Sequence, residues 1–411
     1  MPTFPKLPPQ VRVLNRLGRW LRRCGIRLVS FEPAALRRIA VRRAGLRDFA
    51  ADPLFTEGLE VLCRSVETDA SLTLAGRIGI RDYVVHALVN RLRYVHARTR
   101  EPEVADVELE PPIIVIGLPR SGTTLLHHLL SHDPRARALQ FWELMEPIAG
   151  AGPDRRRADL ARSLADIKRM DRDIDGKHHF DADNPEECML LLDTTLVSLS
   201  FWVFAPVHEY LRWLGRQDQR EGYRVYRWYL QRFQRETPGR RLVLKAPAHT
   251  AAIEALLLAI PNARLVQIHR DPAEVVPSLH SLIFSLHAMV ADPVDIPRMT
   301  ENNMAHLEHL VATTERAHAA GHSWVEVKYG DLVADPLACV RDIYARLDLP
   351  FDDELARRIE EYVAQRPKDK FGKHRYGAED FGSTAAALRE RFAGYYHDHC
   401  RDHRQDHRVA E

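Results

Sequence analysis

Between Gly117 and Thr124 the chain reads GLPRSGTT. Glycines at both ends of this turn let the backbone close tightly around a ligand, with successive N–H groups converging on one point. The preceding run, IIVIG from Ile113, is β-branched and apolar, and the following TTLLHHLL has helical periodicity. A strand, a tight turn and a helix whose positive end faces the turn make a seat for an oxyanion. A phosphorylated, nucleotide-like ligand is therefore expected at Gly117 to Thr124.

The spacing Gly117-x-x-x-x-Gly122 is that of nucleoside triphosphatase loops, but Thr123 stands where their lysine belongs. One cation, Arg120, and the hydroxyls of Ser121, Thr123 and Thr124 suit a group less charged than a triphosphate with Mg²⁺. A second anchor lies in LVQIHRDPAEVVPSLHSL, Leu265 to Leu282. There a strand ends in Arg270, where open α/β sheets bind ligands, and a helix capped by Asp271 and started by Pro272 carries Ser278. A guanidinium and a hydroxyl so placed can grip a second phosphate.

Together these segments resemble the sulfotransferases that use 3′-phosphoadenosine 5′-phosphosulfate, over about residues 112–400, including YGDLVADPLACVRDIYARLDLP and KHRYGAEDFG. The resemblance implies that Pro119 to Thr124 bind the 5′-phosphosulfate and that Arg270 and Ser278 bind the 3′-phosphate. It places Arg120, as in tyrosylprotein sulfotransferases and a bacterial branch, and Lys245 of LVLKAPAHT at the bridging oxygen, where charge grows as the bond breaks. Lys373 and Arg375 stand in for the basic segment that holds the 3′-phosphate in cytosolic enzymes. For the base that takes the acceptor's proton the candidates are Glu143, His249 and His179. Glu143 in FWEL is comparable to the carboxylate base of tyrosylprotein sulfotransferases, with Phe141 and Trp142 to desolvate it. His249 is displaced from the cytosolic catalytic histidine. The expected activity is in-line sulfuryl transfer to a hydroxyl of a small-molecule, glycan or lipid acceptor, without a metal requirement. The alternative is a kinase-like phosphotransferase of the same loop fold using ATP.

These residues need a scaffold. Short apolar runs at 113–116, 242–244, 265–268 and 324–327 alternate with helical segments, the signature of a parallel sheet. The expectation is an α/β, P-loop nucleotide triphosphatase-like three-layer fold with a central parallel sheet. Residues 1–110 read as an N-terminal helical region and 111–411 as the sulfotransferase domain, with a helical insertion at about 154–236. Ten aromatics from Phe201 to Phe233 in that insertion pack mainly in the core and shape a pocket for a hydrophobic or aromatic alcohol.

Residues 1–48 hold twelve Lys or Arg against Glu32 and Asp48, with Val13, Leu17, Trp20 and Leu21 at helical spacing. Two readings stand open: a face packed on the body of the protein, or peripheral membrane contact through a basic amphipathic helix. A net charge of +2 argues against a nucleic-acid partner. Five scattered cysteines form no C-x-x-C pair, and the N-terminus lacks a signal peptide pattern, so a cytoplasmic location without disulfides, structural zinc or a transmembrane helix is expected. His397, His399, Cys400, His403 and His407, interleaved with Asp and Arg, read as a solvated tail.

Overall fold

The computed structural model describes residues 7–171, 179–365 and 377–401; Lys373 and Arg375 lie outside them. Four helices open the chain: α1 (Pro9–Arg23), α2 (Pro33–Ala44), α3 (Pro53–Thr68) and α4 (Leu74–Arg100). Glu32, Asp52 and Thr73 cap the last three through their side chains. Then come β1 (Ile113–Gly117), α5 (Thr123–Leu130), β2 (Ala136–Ala138), α6 (Phe141–Met145) and α7 (Arg156–Met170). A 3₁₀ stretch, Cys188–Thr195, leads into α8 (Ser200–Phe204), α9 (His208–Leu214) and α10 (Arg220–Glu236). The sheet resumes with β3 (Arg241–Lys245), α11 (Ile253–Ala259), β4 (Arg264–His269), α12 (Pro272–Val290), α13 (Ile296–Ala319) and β5 (Val325–Lys328). After it run α14 (Tyr329–Ala334), α15 (Pro336–Arg346), α16 (Asp353–Ala364), α17 (Ala385–Arg391), α18 (Ala393–Tyr395) and a π-helical turn, Tyr396–Cys400.

The five strands among the described residues are all parallel, in the order β2-β3-β1-β4-β5. Four match the expected runs to within a residue or so at their ends. The fifth, β2, has no β-branched residue and exists because Ala136 and Ala138 pair with Arg241 and Val243 of β3. The alternating faces of β1 feed two layers. Ile113 and Val115 pack with Leu126, Leu130, Val340 and Ile343, whereas Ile114 and Ile116 pack with Tyr223, Tyr226, Tyr229 and Phe233. This is the three-layer α/β arrangement expected. A further core joins Leu36, Leu59 and Leu88 of the N-terminal helices to Trp202, Tyr210, Phe284 and Met299. The one described helix long and apolar enough to cross a membrane, α12, has 72% of its apolar window buried in this core.

Helix α1 docks by the side that carries Leu14, Asn15, Gly18 and Arg22. The buried Asn15 accepts the Ala75 N–H at 3.0 Å, Gly18 sits against Leu74, and Arg22 donates to the Leu72 carbonyl at 2.8 Å. Its apolar stripe points outward instead: Val13 is 63%, Leu17 48% and Trp20 60% exposed. The helix itself packs on the body, with Leu14 and Leu21 half-buried, whereas these three residues of the stripe face outward.

Candidate active site

Strand β1 pairs with β4 so that Gly117 lies opposite Ile268, two residues before Arg270. Because β3 and β4 flank β1 on opposite sides, the chain ends above β1 and β4 open a crevice at a switch point of the sheet. Gly117 has φ +130° and an added Cβ would stand 2.5 Å from the Ile268 carbonyl oxygen, so only glycine lets the strands close there. Arg120 itself takes φ +70°. Gly122, at φ +100°, turns the chain into α5, leaving the first-turn amides of Thr123 and Thr124 facing the crevice without intrahelical partners.

The two anchors meet. Arg120 Nε donates to Ser278 Oγ at 3.0 Å, and Arg270 donates to the Arg120 carbonyl oxygen at 3.0 Å. The Arg270 guanidinium lies 4.1 Å over the Tyr329 ring, which also walls the loop at Gly122. Ser121 is the exception among the loop hydroxyls. It is fully buried and donates to the Leu118 carbonyl at 2.7 Å, so it braces the turn from inside.

Lys245 ends β3 with no solvent exposure, its Nζ 3.0 Å from Glu187 and 3.5 Å from Glu186. Burial opposes its charge, but Glu187 and then Glu186 outweigh burial and raise its pKa, so it is an ammonium. A cleft of about 290 Å³ runs beside this group. Pro119, Arg120, Gly122 to Leu125, Glu186, Glu187, Arg270 and Tyr329 line its polar end; Phe180, Met189, Leu190, Trp202, Phe204, Leu279, Ile283 and Leu286 make most of the rest. Asn303 and His306 line it too.

Two expected bases sit elsewhere, which corrects the expectation that either meets an acceptor. Glu143 is held by Arg137 at 2.6 Å and by the Gln140 N–H at 2.8 Å in a capping box, and it does not line the cleft. The helix-start position that suggested a base is a cap. His249 is wholly buried between Tyr223 O–H at 2.8 Å and Cys188 Sγ at 3.2 Å, and burial lowers its pKa to about 3. His179 is half-buried beside Phe180 but is not itself a lining residue. The carboxylates that do face the cleft, Glu186 and Glu187, lie in HHFDADNPEE, a segment whose sequence drew attention only to its histidine. Most aromatics of the insertion, such as Tyr223, Tyr226 and Tyr229, are core, while Trp202 and Phe204 reach the cleft.

The loop's dependence on glycine can be measured. An added Cβ at Gly122 would stand 2.6 Å from Tyr329 Cδ2, in a backbone conformation that side chains resist. Gly122→Ala is expected to weaken binding of adenosine 3′,5′-bisphosphate by at least ~10-fold through Tyr329 and Arg270, a cost of about 1.4 kcal/mol or more. Calorimetric titration checks this, with circular dichroism confirming that the fold persists.

A family model described as the sulfotransferase family matches residues 111–353. The omega-hydroxy-beta-dihydromenaquinone-9 sulfotransferase Stf3 of Mycobacterium tuberculosis is 27% identical over 300 residues, 69% of this chain and 73% of that protein. Sulfotransferase STF9 of Mycobacterium avium is 31% identical, covering 90% of this chain and 97% of its own at a TM-score of 0.80. Sulfotransferase STF1 of M. tuberculosis H37Rv, also 31% identical, covers 88% and 98% at a TM-score of 0.76.

Proposed function

The chain belongs to the sulfotransferase family, and from that premise we propose that it transfers the sulfuryl group of 3′-phosphoadenosine 5′-phosphosulfate to the hydroxyl of a lipid-like alcohol. The observation that carries the donor assignment is the contact of Arg120, just after β1, with both Arg270, just after β4, and Ser278 of α12. Amides of Thr123 and Thr124 and the Arg120 guanidinium hold the 5′-phosphosulfate; Arg270 and Ser278 hold the 3′-phosphate. Lys373 and Arg375, outside the described residues, are proposed to add charge on that side.

The acceptor oxygen forms its bond to sulfur while the sulfur–oxygen bond to the phosphate breaks, leaving adenosine 3′,5′-bisphosphate. Lys245 and Arg120 stabilise the charge growing on that leaving oxygen. Glu187, with Glu186 beside it, accepts the acceptor's proton, in place of Glu143 or His249. An apolar cleft walled by Trp202, Phe204 and Leu286 favours a hydrophobic acceptor, as does the relative whose name specifies a menaquinone-derived substrate.

Donor class is tested by calorimetry with adenosine 3′,5′-bisphosphate against ATP-Mg²⁺. Preference for the bisphosphate, weakened ~10–100-fold by Arg270→Ala, is expected from loss of a charged phosphate contact; preference for ATP-Mg²⁺ would sink the assignment.

We further propose that α1 rests on an anionic lipid surface. Val13, Leu17 and Trp20 form one exposed stripe flanked by the exposed Arg12, Arg16 and Arg23, and Ile26 and Leu28 extend it. Sedimentation with phosphatidylglycerol vesicles should carry the chain down, and Leu17→Glu with Trp20→Glu should reduce the bound fraction at least ~10-fold by removing the buried apolar area. Binding to neutral vesicles alone, unchanged binding by the variant, or self-association through this stripe in place of vesicle binding would each overturn it.

A further inference from the structure

A second cavity, of about 320 Å³, adjoins the cleft. Leu199, Ala248 and His306 line both, whereas the donor loop, Glu186, Glu187 and Arg270 line the cleft alone. The two spaces therefore share one wall and only one of them meets the donor.

Three elements run from one space to the other. The 3₁₀ turn Pro247–Ala252 repeats every three residues, so Ala248 and Ala251 stand on one face of it with only methyl groups, while His249 between them is held inward by Tyr223 and Cys188. Ala248 lines both cavities and Ala251 the second alone. On α13, Asn303 and His306 line the cleft, and His306 with Asn302, Ala305 and His309 lines the second cavity, positions three and four apart that share a stripe. The third element is the buried run Leu192, Val197 and Ser198, ending in the half-buried Leu199. Tyr210 fixes its bend: the hydroxyl accepts the Ser198 N–H at 3.0 Å and donates to the carbonyl of Leu196, whose φ is +55°, at 3.0 Å. Buried Leu211 and Leu214 of α9 complete the wall, so this is a space framed by core side chains and not a surface dimple.

The junction and the far end differ in character. Burial lowers His306 to about 4, so a neutral ring stands where the cavities meet, and its Nε2 has no hydrogen-bond partner among the described residues. At the far end Arg212, Gly215 and Arg216 are exposed, which opens the second cavity to water. Size argues for joint use. Each cavity alone lies near the bottom of the roughly 300–1,000 Å³ that ligand pockets occupy, and the polar end of the cleft must also hold the phosphosulfate. An acceptor longer than a short alcohol does not fit the remainder.

We propose that the two cavities form one acceptor site, in which a long-chain alcohol lays its hydroxyl at the Glu187 and Lys245 end and threads its apolar chain past Leu199, Ala248 and His306 into the second cavity. The inference rests on the reading of the cleft as the acceptor's place and adds what sets the acceptor's length. Small residues at Ala248, Ala251 and Ala305 keep the passage and the second cavity open. Each methylene buried there is worth roughly 4-fold in binding, so the second cavity selects long chains over short ones.

Hexadecanol carrying a diazirine at the carbon farthest from its hydroxyl is photolysed with the full-length chain and adenosine 3′,5′-bisphosphate, and the labelled peptides are mapped by mass spectrometry. Saturable labelling within 211–219 is expected, while the isomer with its diazirine beside the hydroxyl should label 186–190 or 279–286. Ala305→Trp, at an exposed position of α13 that lines the second cavity and not the cleft, should lower the terminal labelling of 211–219 at least ~10-fold, the worth of two methylenes. Ala251→Leu fills the same cavity from the opposite element and should do likewise, so a folding defect in one variant leaves the other to decide. In transfer assays both should reduce the preference for hexadecanol over hexanol by a similar factor. Terminal labelling confined to the cleft segments or to α1, labelling that does not saturate, or labelling indifferent to both variants would overturn the proposal. The bisphosphate titration judges the donor reading by itself, so failure of that reading and failure of this one are told apart.

Discussion

Lys245→Met is expected to slow sulfuryl transfer by about 10²–10³-fold while leaving affinity for adenosine 3′,5′-bisphosphate within a few-fold, the scale seen when one fixed charge-stabilising donor is removed. The bisphosphate lacks the sulfuryl group whose departure the ammonium assists, so ground-state binding and rate separate. The side chain has no solvent exposure, and its neighbours Glu186 and Glu187 keep it charged. Removing the charge has a second consequence, because two carboxylates then face each other near the floor of the cleft. Breaking a buried pair costs about 3–5 kcal/mol, and since Glu187 is 23% exposed the lower end applies. Adding Glu187→Gln to Lys245→Met should recover most of that stability, while the rate stays low because the proposed base is gone as well, so the role of Lys245 is read from the single variant, whose rate falls while its bisphosphate affinity holds. Urea denaturation measures the first and single-turnover transfer of labelled sulfate to a long-chain alcohol the second. A Lys245→Met enzyme with undiminished rate would remove Lys245 from the chemistry.

The loop and the second anchor were legible because their signals are local. A β-branched run, two glycines and a helix start are contiguous in GLPRSGTT, and Arg270 and Ser278 lie eight residues apart on one strand-to-helix unit. What brings them together, the pairing of β1 with β4, follows from the parallel topology. The carboxylates that line the cleft were not legible in the same way. Glu186 and Glu187 sit in an irregular stretch before a 3₁₀ segment, with no periodicity to assign them a direction. Glu143 looked like a base because an acidic residue in a first helical turn looks the same whether it caps or catalyses. His249 was drawn in by its nearness to Lys245 in sequence, but the 3₁₀ turn Pro247–Ala252 carries it into the layer beneath the sheet. Strand β2 is held by its partner and not by its own residues, and the outward turn of Val13, Leu17 and Trp20 depends on Asn15 and Gly18 finding α4. In each case a tertiary contact decided among local options of similar energy.

A second large effect concerns acid. Burial pushes His127 down to about 4 and His249 and His287 down to about 3, and all three have no solvent exposure. A histidine whose pKa is lowered by folding stays neutral in the fold while the unfolded chain takes up its proton near the ordinary value of about 6.5. The unfolded state then binds more protons, so stability is complete above that value and is lost as pH falls through it. At pH ~5 each such histidine costs roughly 2 kcal/mol, and three together roughly 6 kcal/mol, which is comparable with the whole stability of a typical domain. His208, His280 and His306, lowered to about 4 mainly by burial, act in the same direction. Asp193 runs the other way: burial raises it to about 6, so acidification relieves it by roughly 1 kcal/mol over the same interval. The histidines win. Urea midpoints should therefore drop steeply between about pH 7 and pH 5, and His287→Gln should reduce the proton uptake on unfolding by about one, since a glutamine amide can still donate to the Trp202 carbonyl that His287 Nε2 meets at 2.7 Å. A flat stability profile would show that these rings take up protons within the fold. Because the loss comes from unfolding and not from the cleft, acid inactivation should follow the urea midpoints and be insensitive to saturating bisphosphate except by the stabilisation that any native-state ligand confers.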